Sequence, residues 1–199
     1  MKPFSLVLLI LTVTVALLAV RPMFMTDAET FAGYAVRDLR DVPMIRFVRI
    51  SRSGAPLELA EVGAFVGKRN VAPVHGRASQ SSTKQNDTLK YGPNLAINGN
   101  NTGAKFFHVA TTSPRERHHW WLLDLQSEMP ISAVTIHLPE RGVHPRPQSA
   151  WHDKFRDQDT LVEFMDNDGT IVLTKTIESW EEIITFSTTS RDANRARTM

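Results

Sequence analysis

Beyond residue 43 the chain falls into short runs of alternating apolar and polar residues, each closed by turn-forming residues. That rhythm predicts strands. The first run is Met44-Ile45-Arg46-Phe47-Val48-Arg49-Ile50, closed by Ser51-Arg52-Ser53-Gly54. Residues 57–66 form a second and residues 120–125 a third. In residues 133–138 the alternation is clean, with Val134, Ile136 and Leu138 on one face and Thr135 and His137 on the other. The runs 161–165 and 170–176 flank Asp166-Asn167-Asp168-Gly169. An Asp-Gly pair in that position signals a hairpin, because glycine takes the positive φ of such turns without a steric penalty. Helical periodicity is weak throughout this part. Many short strands punctuated by Gly, Pro and Asn predict an all-β antiparallel sandwich or barrel.

The amino-terminal pattern is different. Residues 4–20 are apolar apart from Ser5, Thr12 and Thr14, preceded by Lys2 and closed by Arg21-Pro22, with Met23-Phe24-Met25 apolar again. About 20 such residues match a helix crossing ~30 Å of hydrocarbon. A cleaved signal has a shorter apolar region and a small-x-small site, which Arg-Pro-Met-Phe-Met does not supply. The expectation is a single transmembrane helix over residues 1–25 that holds the rest at a membrane, with the domain on the non-cytoplasmic side. Residues 26–42 read as a connector with a short helix over 27–34, residues 43–186 as the β-domain, and residues 187–199 as a polar, Arg-rich tail.

Composition narrows the chemistry. The 199 residues carry a formal net charge of only +2, far from the dense basic footprint of a nucleic-acid binder, so no such partner is expected. There is no cysteine, which removes disulfides, thiolate zinc sites and cysteine nucleophiles. A bacterial, viral or reducing setting fits that usage better than an animal extracellular one. No phosphate-cradling glycine loop and no His-Glu-x-x-His string occurs, so the expectation is a protein that is not an enzyme.

A series of segments then resembles one family. Asn70-Val71-Ala72 is followed by Gly76-Arg77-Ala78-Ser79-Gln80-Ser81-Ser82-Thr83, then by Leu95-Ala96-Ile97-Asn98-Gly99-Asn100 and Phe106-Phe107-His108. Trp120-Trp121-Leu122-Leu123-Asp124-Leu125 and Ile131-Ser132-Ala133-Val134-Thr135-Ile136 complete the order. This resembles the discoidin-like, galactose-binding-like domains of the coagulation-factor C type, and in pattern the F-type (fucose-binding) lectins. It spans residues 43–178. Arg46-Phe47-Val48-Arg49-Ile50 and Leu57-Glu58-Leu59-Ala60-Glu61-Val62 look like that family's closing strands, placed first here as in a permuted sandwich. The fold implied is a jelly-roll β-sandwich.

The resemblance also implies sites. A structural calcium would be held by the loop matching 95–100 and by the glutamate matching Glu61, with Ala60, Leu95 and Asn100 offering carbonyls. Asn98 stands where the family has an aspartate, which removes a negative charge and weakens binding. The alternative is that Asn98-Gly99 makes a tight turn and Glu61 caps a loop. For sugar recognition the family uses a histidine and two downstream arginines. The matching stretch holds Arg141, His144 and Arg146, but the spacing departs from the family's, and His108 aligns better with a structural residue. Specific fucose binding is therefore not expected, while contact with a glycan or protein through these loops is. Trp151, in a polar stretch, is the candidate aromatic anchor. Trp120 and Trp121, consecutive in a strand, should face opposite sides. His118 and His119 cannot share an ion for the same reason, and beside Arg115 and Arg117 they read as a solvated basic loop.

The function expected is a surface-binding module that recognises a glycan or glycoprotein. The alternative is a structural block of a large assembly, such as a minor capsid or membrane-linking protein of a large DNA virus, whose partners are other assembly proteins.

Overall fold

The computed structural model describes residues 42–100, 110–139, 160–177 and 183–188. All belong to the compact unit Val36–Met199, while the other unit, Met1–Ala35, lies outside them. The expected anchor, nearly all of the connector and the tail beyond residue 188 therefore fall outside the described residues. Among the described residues no helix is long and apolar enough to cross a membrane.

The described chain is mostly β-structure in antiparallel sheets. In order its strands are β1 (Met44–Ser53), β2 (Glu58–Leu59), β3 (Glu61–Val66), β4 (Arg69–Asn70), β5 (Arg77–Gln80) and β6 (Ala110–Thr111). Then follow β7 (His118–Pro130), β8 (Ala133–His137), β9 (Thr160–Met165), β10 (Ile171–Ile177) and β11 (Ile183–Ser187). One sheet has the order β10-β9-β1-β7-β5 and a second the order β11-β8-β3-β4, with β2 and β6 forming a small ribbon. Between β4 and β6 lie two single-turn helices, Ala72–His75 and Thr88–Tyr91, and a 3-10 segment, Pro93–Ile97.

Alternation along the strands builds one core. Ile45, Val48 and Ile50 of β1, Trp121, Leu123 and Leu125 of β7, and Val162 and Phe164 of β9 are fully buried from the larger sheet. Val62 and Ala64 of β3 and Val134 and Ile136 of β8 meet them from the second sheet in the same cluster. The first strand is thus an interior one, hydrogen-bonded to β7 on one side and β9 on the other.

Three details anchor the register. Opposite Arg46 the β1–β7 pairing jumps from Ile45↔Met129 to Phe47↔Asp124, so β7 bulges, with Gln126 at φ 67. Asp124 holds this bulge together, accepting from Arg46 Nε at 2.9 Å and from Gln126 N at 2.8 Å. The Arg46 guanidinium keeps the Asp124 carboxyl below its ordinary value. The expected hairpin is present: β9 pairs with β10, Gly169 sits at φ 78, and Asp166 Oδ1 accepts from the backbone N–H of Asp168 and Thr170. Lastly, Trp121 Nε1 donates to the Pro93 carbonyl at 3.0 Å, tying the 3-10 segment to the larger sheet.

The structure differs from the strand pattern in instructive places. β1 runs on to Ser53 instead of ending near Ile50, because Arg52 keeps the inward alternation and is buried. Thr135, expected on a polar outer face, is only 2% exposed. A Cβ built on Gly63 would lie 2.6 Å from Thr135 Oγ1 and 2.6 Å from Phe65 Cε2, so the Phe65 ring folds back over the space beside Gly63 and covers that face.

Gly63→Ala should therefore overpack this contact and lower stability by about 1–3 kcal/mol, read as a reduced urea midpoint at unchanged slope. An unchanged midpoint would mean that the Phe65 ring yields freely and does not fix the outer face of β3.

Candidate functional site

Two places on the described chain combine positioned polar groups with access to solvent. The first is where β3 meets the turn after the 3-10 segment. Glu61 opens β3 and is 4% exposed. Gly99, at φ 80, donates its backbone N–H to Glu61 Oε1 at 3.0 Å. Asn98 Oδ1 accepts from the backbone N–H of Asn100 at 2.8 Å, closing an Asx turn. The Ala60 backbone is held in turn by its N–H to the His137 carbonyl at 2.9 Å. The two segments that the resemblance assigns to one calcium site, Glu61 and the loop ending in 98–100, are thus in hydrogen-bond contact. The donors that the resemblance implies are one carboxylate, the Asn98 carboxamide and the carbonyls of Ala60, Leu95 and Asn100. That oxygen chemistry fits a hard cation, but with a single negative charge it belongs at the weak end of the range.

The second place is a concavity of about 640 Å³ over one end of the larger sheet. Three strands meet there in register. Ser51 of β1 faces Trp120 of β7 on one side and Leu161 of β9 on the other. Trp120 and Leu161 are each 37% exposed, whereas their inward neighbours Trp121 and Val162 are fully buried. Further along β1, Arg49 Nε donates to Glu163 Oε2 at 2.7 Å. The Glu163 carboxylate accordingly raises the pKa of Arg49. At the other end Ser53 Oγ lies 3.0 Å from His118 Nδ1.

Beneath this rim the inner side of the sheet carries an uncommon pair. Arg52 and His119 are cross-strand neighbours and both are buried. Arg52 Nε donates to the Ala55 carbonyl at 2.7 Å, and burial brings its pKa down to about 10 against the opposing pull of Glu58. Nδ1 of His119 is 2.9 Å from Thr112 Oγ1, which also accepts the Leu57 N–H at 2.9 Å, while Nε2 is buried without a hydrogen-bond partner. Desolvation lowers the His119 pKa first and foremost, the nearby Glu116 opposing and Arg52 reinforcing it.

The sequence reading and this geometry overlap unevenly. Trp120 and Trp121 do split between the two faces. His118 and His119 also point apart, but they open β7 instead of lying in a solvated loop, and His119 is interior. His108, Arg141, His144, Arg146 and Trp151, the expected ligand contacts, lie outside the described residues. Arg49, Ser51 and Leu161 were not singled out, since their significance comes from pairing across three strands. The same alternation that marks Ile50 and Trp121 as core would have marked Ser51 and Trp120 as facing out. No family model, no curated protein and no solved structure matches the chain.

Because burial lowers the His119 pKa in the folded state, the unfolded chain takes up the extra proton first as pH falls below the ordinary histidine value. His119 should then leave stability undiminished above about pH 6.5 and erode it as pH falls, at a limiting slope of about 1.4 kcal/mol per pH unit. Denaturation midpoints between pH 7.5 and 5, compared with His119→Gln, check this. An equal slope in the variant would place the acid sensitivity elsewhere.

Proposed function

We propose that this protein is a non-catalytic, membrane-anchored binding module that recognises a glycan or glycoprotein surface. In this reading the apolar residues 1–25 hold a discoidin-like jelly-roll at a membrane, on the outside of a cell or virion. The supporting observation is the Gly99-to-Glu61 hydrogen bond, which folds the 98–100 turn onto β3. It unites the two segments that such domains use for a stabilising calcium, and loops pinned to a rigid sandwich are suited to recognition. Calcium here has the role of stiffening that loop, held by Glu61 and the neighbouring carbonyls.

A second reading, a docking block in a larger assembly such as a viral capsid, draws support from the edge strand β10. Its first residues, Ile171 and Val172, are 47% and 45% exposed, apolar surface of the kind a protein partner would cover.

The full chain, kept in a detergent without a sugar headgroup, should bind defined sugars on a glycan array, more strongly with calcium than with chelator. Failure to bind in both conditions by a folded sample would favour the assembly reading. For the ion itself, 10 mM calcium should stabilise the wild type by about 1.4 kcal/mol if its affinity is near 1 mM. Asn98→Asp keeps the Asx turn and adds a carboxylate, so its gain should rise to about 2.7 kcal/mol for a tenfold tighter site. Melting curves that calcium leaves unmoved in both proteins would reduce Glu61 to a loop cap.

A further inference from the structure

We propose that the outer face of the larger sheet carries a slot for one pyranose ring, walled by Trp120 and Leu161 across Ser51. The proposal rests on the glycan-binding reading above and gives that reading a location. It places the contact on three strands and on residues other than those expected from the sequence.

Register supplies the slot. Ser51 is directly opposite both Trp120 and Leu161, and all three alternate outward from the buried Ile50, Trp121 and Val162. Strands in a sheet are ~4.8 Å apart, so side chains two strands away stand ~9.6 Å apart at their bases. A ring packed on both faces needs ~3.5–4.0 Å to each wall, or ~7–8 Å in all. The short Ser51 side chain leaves that gap open, with a hydroxyl on its floor. An exposed tryptophan in a sheet would ordinarily pack on a large cross-strand partner. Here the partner on the β1 side is a serine, which is too short to fill the space between the indole and Leu161.

The ends of the slot match the edge of a sugar. Arg49, aimed by its 2.7 Å bond to the buried Glu163, presents donors at one end, and Ser53 with His118, 3.0 Å apart, offers donor and acceptor at the other. A pyranose offers apolar C–H faces to walls and hydroxyls, both donor and acceptor, around its rim. An alkyl chain would leave those polar groups unanswered. The concavity's volume, about 640 Å³, exceeds a single ring, which leaves room for the next residue of a chain.

The test uses the full chain labelled with ¹⁵N at its indoles, in the same sugar-free detergent. Methyl glycosides of glucose, galactose, mannose, N-acetylglucosamine and fucose are titrated in turn, alongside the glycan array. The Trp120 indole signal is assigned by its loss in Trp120→Phe. One glycoside should move that signal and leave the Trp121 signal still, since its N–H is already bonded to Pro93. Ser51→Leu, which fills the slot, and Trp120→Ala should each weaken binding at least tenfold with the Trp121 signal retained. If Ser51→Leu disturbs that signal, Leu161→Asn replaces it and should weaken binding by a similar factor. Array binding that survives these substitutions would overturn the slot while leaving the glycan reading intact. No binding by the folded wild type on the array or to any glycoside would overturn both.

Discussion

The indole of Trp121 is the contact on which the described architecture turns. It is fully buried in the larger sheet, and its one polar atom is satisfied by the carbonyl of Pro93, from the long connection between β5 and β6. Burying a tryptophan removes some of the largest apolar area available to a chain, but only where the N–H finds an acceptor. That requirement draws the 3-10 segment onto the core, where Ala96 and Ile97 join the hydrophobic cluster. Once Ile97 is fixed, the turn that follows is delivered to Glu61. The candidate ion loop thus depends on a hydrogen bond made at the margin of the sandwich-like core.

Much of this was legible in the amino-acid pattern. The alternation in residues 133–138 located β8, and Asp166 to Gly169 located a hairpin because the turn chemistry is local. The opposed fates of Trp120 and Trp121 followed from the two-residue period alone. What alternation could not convey is what covers each face. Thr135 reads as exposed until Gly63 and Phe65 are seen to shelter it, and those residues lie on another strand. Arg52 likewise reads as part of a closing turn and His119 as part of a solvated loop, yet both continue the inward phase of their strands at the end of the core. The four-residue helices were not foreseen, since a single turn is too short to show a period. Among the candidate contacts, His108, Arg141, His144, Arg146 and Trp151 drew attention by residue type, whereas the Trp120, Ser51 and Leu161 row exists only through pairings about 70 and 110 positions apart in sequence.

Two arginines of β1 are paired with carboxylates from neighbouring strands. On the outer side Arg49 is neutralised by Glu163, and in the bulge Arg46 is neutralised by Asp124, so both guanidinium groups are held in fixed positions. On the inner side Arg52 lies beside His119, whose pKa burial lowers. On the outer face Arg49 is therefore an oriented donor whose charge is balanced by Glu163.

The place of β1 in the sheet order has a consequence for biosynthesis. It is the first strand of the described unit, yet its two neighbours are β7 and β9, and its pairing with β9 joins Phe47 to Met165. On a ribosome adding about 5–20 residues per second, β1 waits on the order of ten seconds for the second partner to emerge. Until β7 is made, Ile45, Val48 and Ile50 have no sheet to enter and both strand edges are open, and the edge that β9 will take stays open longer. Completion of the larger sheet consequently waits until β9 has been made, more than 100 residues after β1.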